Sequence, residues 1–358
     1  MKKEDGDRAR SRAKAEGSRS SFTLVDSHKK RQEALKRQLI RLEPMAALAM
    51  GLATLPVCLF FLLEFLGFIP AGLVHGQGIQ AYALNAFLFY GFIPLMVITV
   101  ALAIFRPPLQ VLLGTNPGLP VLLASPALGF FLGSLVYTGL QLLTSYFPWA
   151  NAWLAIPDLW QKGALYLGRS TVMTLTVLAF SVLLPASTLE LLHRGIILPA
   201  FVGFEGSVLR IVLPALLAAS LPLDLPGLAL YLVLALAASW ARLTSGSLLA
   251  SALTTAGYGL AMLYARPLTT ALSRLVFGMP LIDNLRLRLY LVSLTLILLV
   301  LLLIPRAIIE GSSSAYQKKL QIGGKGEGTG LGIRSRSGLV LLLCLAASWA
   351  CLYFLVFC

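Results

Sequence analysis

The sequence predicts an all-α, polytopic membrane protein of about nine transmembrane helices, and three observations carry that reading. Of 358 residues, 58% are hydrophobic and 12% charged, with a mean hydropathy of +0.83; a soluble domain carries about 25% charged residues. Apolar runs of about 20 residues recur, the length that crosses a bilayer core as helix. Lipid leaves the backbone only helices or closed barrels, and the alternation that barrel strands need is missing.

The chain opens with a basic segment, 1–43. The first 44 residues hold 13 of the 29 Lys and Arg against seven acids. Within it, RQEALKRQLIRLE sets Leu35, Leu39 and Leu42 at helical spacing among basic residues, as in a helix lying on a bilayer surface. No cleavable signal peptide is expected, because the first apolar run is too long for one.

A membrane domain follows over 44–305. Its spans are expected at 45–69, 82–105, 118–144, 164–189, 207–222, 226–243, 247–265 and 287–305. The fifth is short, and LPLDLPG, bracketed by Pro222 and Pro226, turns the chain into the sixth. Segment 306–336 carries six more Lys and Arg in a Gly/Ser-rich linker, before a last helix within 337–358. The linker's GGKGEGTGLG lacks the order of a phosphate loop and follows no strand. No internal repeat is visible.

Loop charges set an orientation. With the N-terminus cytoplasmic, the cytoplasmic loops hold Arg106, Arg194 with Arg210, Arg242 and the basic linker, and the C-terminus falls outside. The exception is the opposite loop 266–288, with four arginines. Trp149, Trp153 and Trp160 read as an interfacial belt on that outer side. The basic segments flank spans, so the expected partners are lipids with anionic headgroups rather than nucleic acid. A bacterial-type inner membrane is the expected location. Cys58, Cys344, Cys351 and Cys358 sit in apolar segments without metal-ligand spacing, so no metal or other cofactor is expected.

Charge within a membrane costs on the order of 2.5–3.5 kcal/mol per residue on insertion scales. Glu64 stands alone in the first span. Residues 184–201, LPASTLELLHRGIILPAF, hold Glu190, His193 and Arg194. Glu190 and Arg194 are four apart, so on a helix they share a face and form a structural ion pair. Two further stretches bring polar groups to membrane depth: Ser220 with Asp224 at the turn, and Ser251, Thr254, Thr255 and Tyr258 on a small-residue helix.

In this order the three stretches resemble the CPBP family of intramembrane proteases, the CAAX-prenyl-protease-like or Abi group, over about residues 85–265. The family's first motif, EExxxR followed by Gly, matches at Glu190, Arg194 and Gly195, with Leu189 in place of the first Glu. His193 stands where the family commonly has Phe. The second motif, FxxxH, falls on Ala218 and Pro222, or with a two-residue shift on Ser220 and Asp224. The third has the lead-in Ser245-Gly246-Ser247-Leu248, but its His and Asn positions are Thr255 and Gly259.

The resemblance implies a Glu and a His that activate water, and a later His and Asn that stabilise an oxyanion. General-base help is worth about 10²–10⁴-fold, and one oxyanion donor about 10²–10³-fold. Leu189 cannot take a proton and Gly259 offers no side chain. The expectation is therefore a CPBP-like core whose protease centre has degenerated. Its Glu190–Arg194 pair would persist for structure, and its role would be binding, scaffolding or regulation toward a membrane or lipidated protein. One alternative is an active, divergent endopeptidase with Glu190 as base, Asp224 replacing a His and Thr255 at the oxyanion. Another is a transporter, with Glu64 and Arg169 on its path.

Overall fold

The computed structural model describes residues 43–69, 76, 78–105, 112–114, 116–147, 149, 154–200, 207–220, 226–277 and 284–321. All regular structure among them is helical, apart from one isolated backbone bridge between Gly114 and Ser247. The chain divides into two units, Met1–Ala46 and Ala47–Cys358, and the site described below lies in the second.

In chain order the helices are α1 (Glu43–Phe65), α2, α3 (Leu119–Tyr146), α4 (Asp158–Ala164), α5, α6 (Ser207–Ser220), α7 (Leu228–Ser245), α8 (Leu248–Phe277) and α9 (Asn284–Gln321). Helix α2 joins Ile79–Phe87 and Ile93–Phe105 through a π-helical turn, Leu88–Phe92. Helix α5 runs from Thr171–Leu178 through π-helical Ala179–Leu183, α-helical Leu184–Glu190 and π-helical Leu191–Ile197 to Leu198–Ala200.

Among the described residues, six stretches are long and apolar enough to cross a membrane: Ile79–Ala103, Leu119–Tyr146, Thr171–Ile197, Leu228–Ser245, Leu248–Ala265 and Leu291–Gly311. They make this an integral membrane protein. Of the remaining expected spans, the first and fifth appear as shorter apolar helices, Gly51–Phe65 and Ile211–Ser220. The ninth, 337–357, lies outside the described residues, as does nearly all of segment 1–43.

Two boundaries differ from the expectation in ways that matter. The fourth span does not begin at 164. Residues after α4 turn through Gly168, at φ +74°, and Ser170 caps the next helix by accepting from the Met173 N–H at 3.1 Å. The span therefore starts at Thr171 and runs past 189, which places Glu190 and Arg194 within the helix rather than beyond its end. Helix α9 likewise continues through Pro305 to Gln321, over the first part of segment 306–336.

Helix α3 packs along both α8 and α9, and α7 lies between α6 and α8. The α3–α8 contact is made by glycines. A Cβ on Gly129 would stand 1.9 Å from the Thr254 carbonyl oxygen, and one on Gly257 would stand 2.1 Å from that of Pro126. Gly133 meets Ala261 in the same way. Apolar side chains gain little by leaving lipid for a neighbouring helix, so close backbone approach supplies much of the association energy.

The core beside this seam is aromatic. Tyr82, Tyr90, Tyr137, Trp160, Tyr231 and Tyr258 are buried in one cluster. Trp160 is therefore not part of an interfacial belt: it is 2% exposed. Pro185 has no N–H to offer the Ser181 carbonyl one turn earlier, and Trp160 Nε1 donates to that oxygen instead, at 3.1 Å. Trp149 is 69% exposed, and Trp153 lies outside the described residues.

Arg242 is also buried rather than a loop charge. It donates to the carbonyls of Leu113 at 2.9 Å, Gly246 at 3.0 Å and Leu112 at 3.1 Å. The guanidinium thus ties segment 112–114 to the C-terminal end of α7. Gly114 takes φ +75° there, and a Cβ on it would collide with the Gly246 carbonyl.

The seam yields a paired test. Gly129→Leu is expected to cost about 3 kcal/mol, the upper range for overpacking, and to lower the monodisperse fraction on size-exclusion chromatography. Gly139→Ala, where nothing lies within 4 Å of the added Cβ, is expected to be neutral or slightly stabilising in the same measurement.

Candidate functional site

Three helices deliver side chains to one buried place. Helix α5 supplies Glu190, His193 and Arg194 where it widens from α to π geometry, α8 supplies Thr255, and α7 supplies Tyr231 and the Ala235 backbone. Such widenings inside α-helices are rare and occur often at functional sites.

Glu190 and Arg194 form the expected pair, Arg194 Nη1 lying 3.0 Å from Glu190 Oε1 with side-chain exposures of 4% and 2%. The same carboxylate oxygen accepts from Thr255 Oγ1 at 2.7 Å. Arg194 Nη2 donates to the Ala235 carbonyl at 2.8 Å. The pair is therefore a clasp: α5 holds both charges, α8 reaches the acid, and α7 receives the base. His193 Nδ1 lies 2.9 Å from the Leu189 carbonyl, within its own helix.

These residues line a cavity of about 30 Å³. A water needs about 10–15 Å³ of such space, so there is room for about two. Tyr90 and Tyr231, whose hydroxyls are 3.2 Å apart, form part of the wall with Trp160 and Ser181. Leu189, Leu159, Pro185 and Leu234 make the apolar part. Val57 of α1 packs behind Leu189. Among the described residues, no three His, Cys, Asp or Glu side chains gather as a metal ligand set.

Of the residues singled out from sequence, the structure brings Glu190, Arg194 and Thr255 into direct contact and sets His193 and Leu189 at the same cavity. Ala218, at the ungapped position of the second motif's Phe, lines it as well. Asp224 and Pro222 lie outside the described residues. Ser220 bonds to its own helix, at the Leu217 carbonyl. Gly259 faces Trp160, whose Nε1 would lie 3.3 Å from an added Cβ. Glu64 and Arg169 do not line the cavity. Arg169 is exposed and stacks over the Tyr166 ring at 5.5 Å.

Sequence reasoning missed Tyr90, Tyr231 and Ser181. A signal was present in the tyrosines: a Tyr hydroxyl in an apolar run needs a partner when buried, and Tyr90, Tyr231 and Tyr258 each stand in such a run.

Breaking the clasp has a predictable cost. Glu190→Gln and Arg194→Met each leave a buried charge without its counter-ion, and each is expected to destabilise by about 3–5 kcal/mol. The double variant is expected to recover much of that loss. Unfolding of the four proteins in a double-mutant cycle reads the coupling; additive losses would show that the two side chains do not act as a pair.

No family model, curated protein or solved structure matches the chain.

Proposed function

We propose that this is a CPBP-like membrane protein that has lost proteolysis and acts by binding, as a scaffold or regulator of a membrane or lipidated protein. One observation carries the reading. The carboxylate that the resemblance points to already has Oε1 bonded to both Arg194 and Thr255, beside a cavity of about 30 Å³. Ligand pockets usually measure about 300–1,000 Å³, so a peptide has no room at this carboxylate. Leu189, where the family has its first Glu, adds an apolar wall. Glu190 and Arg194 then serve to hold α5, α7 and α8 together. In this reading the chain sits in a bacterial-type inner membrane with its N-terminus cytoplasmic. Segments 1–43 and 306–336 contact anionic headgroups.

A second reading, a divergent endopeptidase, draws on the Thr255 hydroxyl 2.7 Å from Glu190, a donor beside a carboxylate. It would need the cavity to open, and Asp224 to reach it.

The test is cleavage by the purified protein in liposomes, with prenylated C-terminal peptides and transmembrane peptides as substrates. The expected result is retention of at least one lipidated or membrane peptide, with no product above the background of Glu190→Gln. Product from the wild type that falls by 10²-fold or more in a folded Glu190→Gln protein would establish the protease instead.

A further inference from the structure

The cavity beside Glu190 has a roof one helix thick. Helix α4 is seven residues long, and two of them, Leu159 and Trp160, line the cavity. With Gly163 they form its buried face, while Asp158, Gln161 and Lys162 on the opposite face are exposed. Asp158 and Lys162 pair with each other at 2.7 Å, at side-chain exposures of 67% and 60%. Trp160 packs on Tyr231, three residues into α7, and Gly163 lies against Tyr82, three residues into α2. With a rise of about 1.5 Å per residue, α4 sits roughly 5 Å inside the end of the bundle where those two helices begin. Charges avoid lipid, so its outer face is turned to the water at that end.

The segment is self-contained. Its backbone hydrogen bonds close within it: the N–H groups of Trp160 and Gln161 donate to the Pro157 carbonyl, Leu165 to Lys162, Tyr166 to Gly163 and Arg169 to Tyr166. Pro157 stands at its start, and Gly168, at φ +74°, turns the chain out of it. Trp160 fastens it to the bundle. Its Nε1 donates at 3.1 Å to the Ser181 carbonyl, which Pro185 leaves free. Its ring lies 5.2 Å from that of Tyr231 and 5.7 Å from that of Tyr258. If α4 lifts away, water takes over both halves of the indole–carbonyl bond, so neither group is left bare.

We infer that α4 is a gate over the Glu190 cavity, latched by Trp160, that lifts to admit water and small polar solutes from the aqueous face. This rests on the reading that the cavity is the functional site, and supplies its regulation: the carboxylate is shielded when α4 is down and hydrated when it is up. Lifting is measured without any substrate, so the gate and the loss of proteolysis fail separately.

The experiment uses the full chain in lipid nanodiscs, with Cys58, Cys344, Cys351 and Cys358 replaced by Ala and Thr255→Cys as a thiol in the cavity wall. Thr255 is 6% exposed, and a charged methanethiosulfonate does not reach it through lipid. The expected result is slow labelling of this protein. Trp160→Ala raises the rate about tenfold or more, and a disulfide between Gly163→Cys and Ser181→Cys lowers it by a similar factor. A Cβ on Gly163 would stand 3.0 Å from Ser181 Oγ, which suits the roughly 3.8 Å between Cβ atoms of a disulfide. Tyr82→Phe in every variant removes the hydroxyl that this Cβ would meet at 2.8 Å. Where the variants do not fold, hydrogen–deuterium exchange of the unaltered chain decides: the α4 amides exchange together, about tenfold or more faster than those around Tyr231 and Tyr258. No labelling at Thr255→Cys, a rate indifferent to the disulfide or to Trp160→Ala, or α4 amides as protected as those of α7 and α8 would overturn the gate.

Discussion

A carboxylate and a guanidinium taken out of water must find each other, and in this protein that constraint organises three helices. Glu190 and Arg194 sit on one helix, yet the pair alone leaves polar atoms over. Thr255 from α8 and the Ala235 carbonyl from α7 take up two of the remaining valences. The desolvation of a buried pair often exceeds the attraction within it. The pair's reach is across helices: its further hydrogen-bond partners come from α8 and α7, which ties both to α5. In lipid, alternatives in which either group lies bare are excluded by several kcal/mol.

Thr255 reaches the carboxylate because α8 is held at a fixed depth and rotation by its seam with α3. Gly129 and Gly133 on one side and Gly257 on the other bring the two backbones into contact. Side chains at those positions would hold the helices apart and lift Thr255 away from Glu190. The small-residue character of α8 thus has a consequence two residues from the seam: it sets a hydrogen bond in the site.

Proline and π geometry shape the other wall. Pro185 frees the Ser181 carbonyl, which Trp160 occupies, and this draws α4 and its indole into the core. Tyr82 bonds the Ser181 hydroxyl from α2, and Thr188 bonds the Tyr90 carbonyl. Helix α5 is thereby tied to α2 at two levels ahead of the place where it widens at Leu191. At the far end Arg242 fastens segment 112–114, and Leu112 packs against Gly195 next to Arg194. The lining of the cavity is defined by hydrogen bonds around its edge as much as by apolar packing.

Sequence alone determined the all-helical membrane class, because runs of apolar residues have no other stable form in lipid. It determined the Glu190–Arg194 pair as well, since a spacing of four residues is local and survives any packing. It also named α8 as a helix built for close contact. Helix limits were less legible: Gly168 and Ser170 stop and restart the chain, so the fourth span begins at Thr171 and runs past Glu190. Tertiary structure decided that Thr255 meets Glu190, that Trp160 lies in the core instead of at an interface, and that Arg242 is a buried fastener instead of a topology charge. Those facts depend on which helices neighbour one another. Neighbours are chosen by the fit of glycines to backbones and of donors to acceptors far apart in the chain, which no local pattern records.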